Sequence, residues 1–332
     1  MKIIKIFFCL YALIFSQITY ATDVTFQDWL KSFKQKASQE GISKITLDKA
    51  LKNAKFLPDV IKYDRYQPEF YEDTKTYITK RTGDKKIRNG LIIYKKNSKL
   101  INQVEENFEV EKELLLSLMG IETNFGTYLG KMDIISSLAT LSFDKRRSEF
   151  FTNELITILK LIDQNKINLD ILYGPWAGAF GNFQFMPSTI KNYAIDYNNN
   201  DKIELKNIND SFASAANYLI KIGWKRNKPC FIPIELNDKI PDKFLNTSAK
   251  KIINKRKLVF FKKYIKNSDS LNINENSMSA IITPDKDIVE NANRLKPAFL
   301  VFNNYELILK WNRSLRFALA VCTLKNNFSN EL

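Results

Sequence analysis

The sequence predicts a mostly α-helical protein (an α+β class fold) with a minor share of β-structure, and two observations carry that prediction. Apolar residues recur at helical spacing in segments spread over most of the chain. The long exception is 229–285, where periodicity is poor and short β-branched or aromatic runs, such as 257–264, indicate loops with a few strands. Because no internal repeat or low-complexity linker divides the chain, we expect one large domain or two modest ones.

The N-terminal segment has the organisation of a secretory signal peptide. Lys2 and Lys5 form a basic start, residues 6–15 are an apolar stretch too short to span a bilayer, and Ala21 is a small residue suited to cleavage. We therefore expect residues 1–21 to be removed on export, with cleavage near Ala21 and no permanent membrane anchor. The alternative is an uncleaved anchor in the membrane.

Five segments of the remaining chain have helical periodicity. In the first, Trp29, Phe33 and Ala37 fall on one face. The second is expected to be two helices that meet near Phe108, and the fourth is rich in alanine, which suits close packing. The segments are 25–54, 97–122, 149–166, 211–224 and 305–324.

The composition excludes several classes of active site. The 332 residues contain no histidine, which removes Ser-His-Asp and Cys-His triads and every His-ligated metal site. Lys and Arg total 51 against 36 Asp and Glu, a net charge of +15 that favours anionic partners. Nucleic acid and an anionic cell-wall polymer both fit that charge. Export makes intracellular nucleic acid an improbable partner, so we expect none.

Glu122 is the acid that the sequence singles out. Val110, Leu114 and Leu118 recur every four residues, and one further step reaches Glu122 at the end of the same stripe. Burial disfavours a charged carboxylate, so this position would help Glu122 to keep a proton that it can donate. The alternative is a solvated acid at a helix end.

A second segment, 176–188, has the composition of a sugar-binding wall. It combines small residues and aromatics with side-chain amides, among them Gln184. A carboxylic acid that faces such a wall is suited to cleaving a glycosidic bond. The sequence therefore favours a carbohydrate-cleaving enzyme.

In these residues and in several further blocks, the chain resembles the B-type lytic murein transglycosylases over about 26–324. Six ordered blocks carry the resemblance, and their order makes it far more specific than any single motif. The blocks are 66–70, 120–126, 138–147, 176–188, 215–219 with 223–224, and 311–314 with 318–321. The resemblance implies one catalytic domain over 22–326, with a lysozyme-like core at about 97–225, a helical N-terminal region and minor β-structure.

The resemblance also implies site residues. The catalytic carboxylate of the family falls on Glu122. The substrate-binding positions fall on Tyr77, Arg146, Arg147, Gln184 and Asn312, where the two arginines are expected to meet stem-peptide carboxylates. The alternatives are an ordinary basic surface pair for the arginines, and core or surface side chains with satisfied hydrogen bonds for Tyr77 and Gln184.

Three positions depart from the family pattern. Pro175 stands where the family usually has serine, and Trp311 and Phe317 replace tyrosines near Asn312. We expect the sugar-facing surface to persist while two hydroxyl hydrogen bonds are lost at Trp311 and Phe317.

The implied reaction needs one carboxyl group and no cofactor. Glu122 would cleave the bond between N-acetylmuramic acid and N-acetylglucosamine in periplasmic peptidoglycan, with capture by the muramyl 6-hydroxyl in place of water. Peptidoglycan glycan strands are the implied partner, and association with other cell-wall enzymes is left open. A hydrolytic muramidase and a non-catalytic peptidoglycan-binding scaffold remain alternatives.

Two further features concern metal binding and redox state. The loop 196–207 matches an EF-hand-like loop of some relatives, but it has Asp201 at position six and Asn207 at position twelve, so we expect no metal there.

An oxidising compartment allows Cys230 and Cys322 to pair, but two separate buried thiols are the preferred interpretation.

Overall fold

The computed structural model describes residues 24–66, 71–266 and 268–332, and helices dominate it, as the sequence predicted. The expected signal peptide and residues 67–70 of the first matched block lie outside the described residues. The helices are α1 Phe26–Gln39, α2 Lys44–Leu51, α3 Pro58–Arg65, α4 Thr74–Thr82, α5 Asp84–Phe108, α6 Lys112–Thr123, α7 Ile134–Phe143, α8 Ser148–Asp163, α9 Pro187–Tyr193, α10 Ile208–Lys221, α11 Leu258–Phe261, α12 Asn303–Trp311 and α13 Leu315–Ser329.

The second predicted helical segment differs from the structure at its start. The two helices do meet near Phe108, where α5 ends. However, α5 begins at Asp84, and Asn97 interrupts it with non-helical angles (φ −127°, ψ 22°). The Asn97 side chain donates to the carbonyl of Ile93 at 2.9 Å, so an amide that competes for backbone groups accompanies the kink.

The helix that carries Glu122 lies at the centre of the molecule. Every residue of α6 from Leu114 to Gly120 is buried, and α13, α5 and α10 all pack against it. A helix that is apolar on all sides needs neighbours on all sides. The end of α6 is therefore held in place by α5, α10 and α13.

The poorly periodic region folds around a small sheet, which confirms the expected strands. Strand β7 is antiparallel to both β3 and β6, β4 is parallel to β6, and β5 pairs with the outer part of β6. A separate two-stranded ribbon, β1 with β2, lies in the helical part. The strands are β1 Met132–Asp133, β2 Tyr173–Gly174, β3 Phe231–Ile234, β4 Leu245–Asn246, β5 Arg256–Lys257, β6 Met278–Ile282 and β7 Ala298–Val301.

The larger sheet has a hydrophobic core of its own. Leu258, Phe261, Ile281 and Leu300 are fully buried together, apart from the main core around α6. We call the region from β3 to β7, together with α11, the sheet subdomain.

A disulfide joins the residue before this sheet subdomain to helix α13. Cys230, just before β3, is bonded to Cys322 of α13, with the two Cα atoms 6.2 Å apart. The preferred interpretation of two separate thiols is therefore wrong. The sequence could not decide this, because the two cysteines are 92 positions apart and meet only when α13 packs beside β3.

A buried ion pair forms a second tie between the same parts. Arg316 of α13 donates to Asp285 at 2.7 Å and to the carbonyl of Pro284 at 3.0 Å. Asp285 also accepts from the backbone N–H of Thr74, the first residue of α4, at 3.0 Å. The loop after β6 is thus fixed to α4 and α13.

Among the described residues, no helix has the length and apolar character needed to cross a bilayer.

Candidate active site

Glu122 lies in the last turn of α6, at the point where the helix leaves the core. Asn124 ends the helix in a left-handed conformation (φ 48°), and Phe125 continues it (φ 59°), so the chain folds back on the helix. The returning ring of Phe125 lies over Gly120, where a Cβ atom would come within 2.7 Å of it. Glycine at this position therefore permits the sharp turn that leaves Glu122 half-buried.

The half-buried Glu122 faces a cavity of about 550 Å³. One wall is the end of α6 and the loop after it, including Asn124 and the exposed ring of Tyr128. The opposite wall is the junction of α4 and α5, with Lys80, Asp84 and Lys86. A carboxyl group in the lining of a cavity of this size is placed to exchange a proton with a bound sugar.

Trp311 holds the carboxyl group of Glu122 in place. Its indole Nε1 donates to Oε1 of Glu122 at 3.0 Å. Its ring stacks on Tyr218, with centroids 4.9 Å apart, and meets the edge of Phe185 at 5.3 Å. A donor fixed by aromatic packing restricts the positions that the carboxyl group can adopt.

This contact adds to what the sequence predicted at this position. A hydroxyl hydrogen bond was expected to be lost where Trp311 replaces tyrosine, and the indole supplies a different donor, to Glu122 itself. Phe317 makes no such contact and is buried in the core of α13. Trp311 contacts the candidate acid, whereas the sequence showed it only as a departure from the family pattern, and the available signal was its position beside Asn312.

The segment that carries Gln184 forms a tight turn bonded to the end of α6. Phe180 and Phe185 exchange two backbone hydrogen bonds of 2.9 Å each, and the turn between them is closed at Gly181. A Cβ atom on Gly181 (φ 79°) would lie 2.5 Å from the carbonyl oxygen of Leu205, so no larger residue fits. The hydroxyl of Thr123 donates to the carbonyl of Asn182 at 2.9 Å.

Gln184 and the neighbouring aromatic residues therefore have different roles. Gln184 is half-buried, and its amide nitrogen donates to the carbonyl of Gly181 at 2.8 Å, which fixes the orientation of the side chain. Phe183 and Phe185 are buried and pack toward Trp311. They support the site from behind and do not present a platform to a sugar.

Asn312 follows Trp311 at the end of α12 and is half-buried. Its backbone N–H donates to Ile308 at 3.0 Å, and its carbonyl accepts from Ser314 at 2.8 Å. Within the described residues its side-chain amide makes no hydrogen bond to protein. The structure thus brings Glu122 together with the turn of Gln184 and with the residue before Asn312.

Tyr77 belongs to α4, and its side chain is buried, with 1% of the residue exposed. The guanidinium group of Arg81 covers its ring, 3.5 Å from the centroid. The ring is therefore not available for stacking on a sugar, and any contact with substrate would involve the hydroxyl group. Its role in substrate binding stays a prediction.

Arg146 and Arg147 share one buried partner, Asp64 of α3. Arg146 donates from Nε to Asp64 at 2.8 Å, and Arg147 binds the other carboxylate oxygen. The two arginine side chains remain 44% and 39% exposed, whereas that of Asp64 is 1% exposed. One carboxylate cannot neutralise two guanidinium groups, so an exposed positive charge remains. Recognition of peptide carboxylates by this pair stays a prediction.

Lys86 is a residue of the site that the sequence analysis did not identify. Its ammonium group donates to the carbonyl of Gly120 at 2.9 Å and to Asn124 at 2.7 Å, so a cation caps the end of the helix that carries Glu122. Burial, reinforced by the charge of Arg81, lowers the pKa of Lys86. Lys86 belongs to α5 and its partners lie at the end of α6, so no short stretch of sequence predicts this contact.

In loop 196–207, side-chain oxygen atoms accept hydrogen bonds from backbone N–H groups of the protein itself. Both carboxylate oxygens of Asp196 accept backbone N–H groups, from Asn200 at 3.1 Å and from Asp201 at 2.7 Å. Asn207 accepts from the N–H of Asn209 at 3.0 Å as the N-cap of α10. In the part of the chain that the structure describes, no group of three His, Cys, Asp or Glu residues could hold a metal ion. The absence of bound calcium remains a prediction.

With this geometry described, the comparisons with known proteins identify the family. A family model described as "Transglycosylase SLT domain" matches residues 25–326. The chain belongs to this family. The match includes every candidate site residue, from Tyr77 to Asn312.

Individual relatives agree with that assignment. The chain is 36% identical over 139 residues to the membrane-bound lytic murein transglycosylase B of Escherichia coli strain K12, which is 42% of this chain and 38% of that relative. The aligned part thus spans less than half of the length of that curated relative.

Solved structures match over more of the chain. Crystal structures of SltB3 from Pseudomonas aeruginosa, in complex with NAG-NAM-pentapeptide and with NAG-anhNAM-pentapeptide, each have a TM-score of 0.80 and cover 92% of this chain and 80% of theirs. Their sequences are 27% and 28% identical to this one. The expected mostly helical, lysozyme-like fold is confirmed.

Proposed function

We propose that the protein is a peptidoglycan lytic transglycosylase. It cleaves the β-1,4 bond between N-acetylmuramic acid and N-acetylglucosamine without water and leaves 1,6-anhydro-muramyl ends. The observation that carries the proposal is Glu122, half-buried at the end of the central helix, facing the cavity and held by Trp311. Family membership and the two SltB3 complexes with muropeptides support the choice of substrate.

In the first step Glu122 acts as a general acid. Its carboxyl proton passes to the glycosidic oxygen, the bond from that oxygen to C1 of N-acetylmuramic acid breaks, and the N-acetylglucosamine side leaves with a hydroxyl group. The N-acetyl group of the substrate can assist this departure. The indole N–H of Trp311, 3.0 Å from Oε1, stabilises the carboxylate that this step creates.

In the second step the same carboxylate acts as a base. It takes the proton of the muramyl 6-hydroxyl group while the oxygen of that group bonds to C1. The 1,6-anhydro ring closes, and Glu122 regains its proton. Capture by a hydroxyl group of the bound sugar has the advantage of proximity over a diffusing water molecule.

Three other described acids lie near Glu122 in sequence or line the same cavity, and each has a different environment from Glu122. Asp133 accepts from the N–H of Ser136 at 2.6 Å as the N-cap of α7, and Asp144 pairs with Arg65 at 2.9 Å. Asp84 lines the same cavity as Glu122, but it is exposed in the first turn of α5. A mechanism with one carboxyl group accounts for the site without assigning a role to any of them.

The predicted substrate-binding residues would orient the glycan strand. The side-chain amide of Asn312, which has no hydrogen-bond partner among the described residues, and the side-chain oxygen of Gln184 can hydrogen-bond sugar hydroxyl or N-acetyl groups beside Glu122. Tyr77 would contribute its hydroxyl group. Arg146 and Arg147 would bind carboxylates of the stem peptide.

Product mass tests the reaction. Digestion of purified peptidoglycan should release muropeptides lighter by one water than hydrolysis products, with no new reducing ends. Muropeptides with reducing muramic acid ends would instead identify a hydrolytic muramidase. Binding without any product would favour the non-catalytic scaffold.

Asp84→Asn separates the one-acid and two-acid mechanisms. Among the described residues, Asp84 is the other acid that lines the cavity at Glu122, so a two-carboxylate hydrolase built from them would depend on it. We expect the variant to form anhydro products at near the parent rate. Loss of turnover, with the fold retained, would contradict the one-acid mechanism.

The cellular setting follows from the substrate. We propose that residues 22–326 form the catalytic domain, with the lysozyme-like core at about 97–225, and that the protein acts in the periplasm after cleavage near Ala21. The family match at 25–326 supports the domain bounds. Other cell-wall enzymes are proposed partners, to be sought by crosslinking in intact cells.

A further inference from the structure

The sheet subdomain carries a strongly basic segment that the reaction at Glu122 does not use. Residues 250–266 include eight basic residues and no acidic residue. Two of the eight form ion pairs, Lys255 with Glu306 and Lys262 with Glu275. The other six have no acidic partner in the part of the chain that the structure describes. They are Lys250, Lys251, Arg256, Lys257, Lys263 and Lys266, all of them exposed, and we call this group of residues the cationic face.

Exposed aliphatic side chains lie among these cations. Ile253, Val259 and Met278 are each about half exposed. Lys257 of β5 lies directly opposite Met278 of β6 in the strand register, so their side chains are neighbours on one side of the sheet. The N–H of Val259 donates to the carbonyl of Glu275 at 3.0 Å, which holds the start of α11 against the chain leading into β6.

The aromatic rings of this region are covered by cations. Arg256 and Lys263 lie 5.9 and 5.1 Å from the centroid of Phe260. Lys243 lies 5.3 Å from the centroid of Phe244, which is itself buried. A sugar polymer would use exposed rings as stacking platforms, and these two rings are already occupied.

We propose that the cationic face binds the surface of an anionic lipid bilayer. Lysine and arginine side chains attract acidic headgroups, and exposed aliphatic side chains can enter the boundary between headgroups and acyl chains. Peptidoglycan is also anionic, but it offers no apolar phase for Ile253, Val259 and Met278. The combination of unpaired cations with aliphatic side chains therefore fits lipid better than glycan.

The proposal is independent of the reaction at Glu122. The cationic face belongs to the sheet subdomain, and none of its six residues lines the cavity at Glu122. Binding through this face would hold the exported enzyme reversibly at a membrane without a permanent anchor. Loss of lipid binding should therefore leave cleavage of soluble muropeptides unchanged.

Co-sedimentation with lipid vesicles tests the proposal. The protein lacking residues 1–21 should bind vesicles that contain phosphatidylglycerol and should bind vesicles of phosphatidylcholine weakly. The combined change Arg256→Gln, Lys257→Gln and Lys263→Gln should lower binding to the anionic vesicles about 100-fold, because each cation near an anionic surface contributes about fivefold. Val259→Ser with Met278→Ser should weaken the binding that remains at high salt.

The matched control removes three charges elsewhere. Lys95→Gln, Lys96→Gln and Lys99→Gln change three exposed lysines of α5 by the same chemistry, and binding should stay near that of the parent. Equal losses in both triple variants would overturn the proposal in favour of net charge alone, and so would failure of the parent to bind anionic vesicles. If the face variant loses binding to purified peptidoglycan but not to vesicles, the face binds wall polymer and the proposal is wrong. Melting temperatures and activity on soluble muropeptides confirm that each variant is folded.

Discussion

The indole nitrogen of Trp311 lies 3.0 Å from Oε1 of Glu122, although the two residues are 189 positions apart in the chain. This hydrogen bond connects the end of the buried helix α6 to the end of α12. Tyr218 stacks behind Trp311 and also donates its hydroxyl to the carbonyl of Lys310 at 3.1 Å. Burial, with Tyr193 beside it, raises the pKa of Tyr218 to about 12, so this hydroxyl stays neutral and keeps donating. The acid is thus held by a packed aromatic cluster.

Glu122→Gln should remove nearly all turnover and leave the fold intact. The amide oxygen of glutamine can still accept the hydrogen bond from Trp311, but the side chain has no proton to transfer. We expect the rate on peptidoglycan to fall about 1,000-fold, the middle of the range for loss of a general acid. Muropeptide release by the purified variant, with circular dichroism as the check on folding, measures this. A folded variant with near-parent activity would show that Glu122 is not the acid.

Trp311→Phe should lower kcat with little change in KM or melting temperature. Phenylalanine keeps an aromatic ring on Tyr218 but removes the N–H donor, and a hydrogen bond to a charged group contributes about 1.5–3 kcal/mol. We therefore expect kcat to fall at least about tenfold. Phe317→Leu, which alters a buried aromatic residue of α13 and adds no hydrogen-bonding group, serves as a comparison for packing effects. If kcat is unchanged in Trp311→Phe, the indole does not position the acid.

Arg146→Ala with Arg147→Ala should weaken cleavage of peptide-bearing glycan more than cleavage of peptide-free glycan, because the guanidinium groups suit carboxylates. The double variant also leaves Asp64 buried without these partners, which should lower stability. Addition of Asp64→Asn should restore stability while the substrate effect persists. Equal losses on both substrates in the stable triple variant would assign the pair a structural role.

Cys230→Ala with Cys322→Ala should lower the free energy of unfolding by about 3 kcal/mol. The disulfide closes a loop across 92 positions, and its removal frees the unfolded chain. Denaturant unfolding of parent and variant measures the difference. A reducing agent should destabilise the parent and leave the variant unaffected. If reductant does not change the parent, the two cysteines are not bonded in solution.

Calcium should raise the melting temperature little or not at all, and chelators should not inhibit the enzyme. Asp196 already accepts two backbone N–H groups, and Asn207 in place of an acid caps α10. A loop with these contacts supplies too little negative charge for tight binding. A shift in melting temperature that saturates at micromolar calcium would contradict this expectation.

Much of the helical domain could be predicted from the sequence because helices are specified by local periodicity. The stripe of Val110, Leu114 and Leu118 predicted both α6 and the position of Glu122 at its end. The ordered blocks predicted the lysozyme-like fold, which the solved relatives confirm. The sequence predicted strands in the poorly periodic region but not their order, because pairing between strands depends on contacts that no short window contains.

The sequence by itself thus determined the helices, the family and the candidate acid. Only the tertiary structure decided which distant residues meet that acid and hold the domain together. Trp311 reaches Glu122 across 189 positions, Asp64 binds Arg146 across 82, and Cys230 bonds Cys322 across 92. Helical periodicity arises from interactions between residues three and four apart, whereas each of these contacts depends on how whole helices pack. These three contacts therefore depend on the folded core, and no short stretch of sequence predicts them.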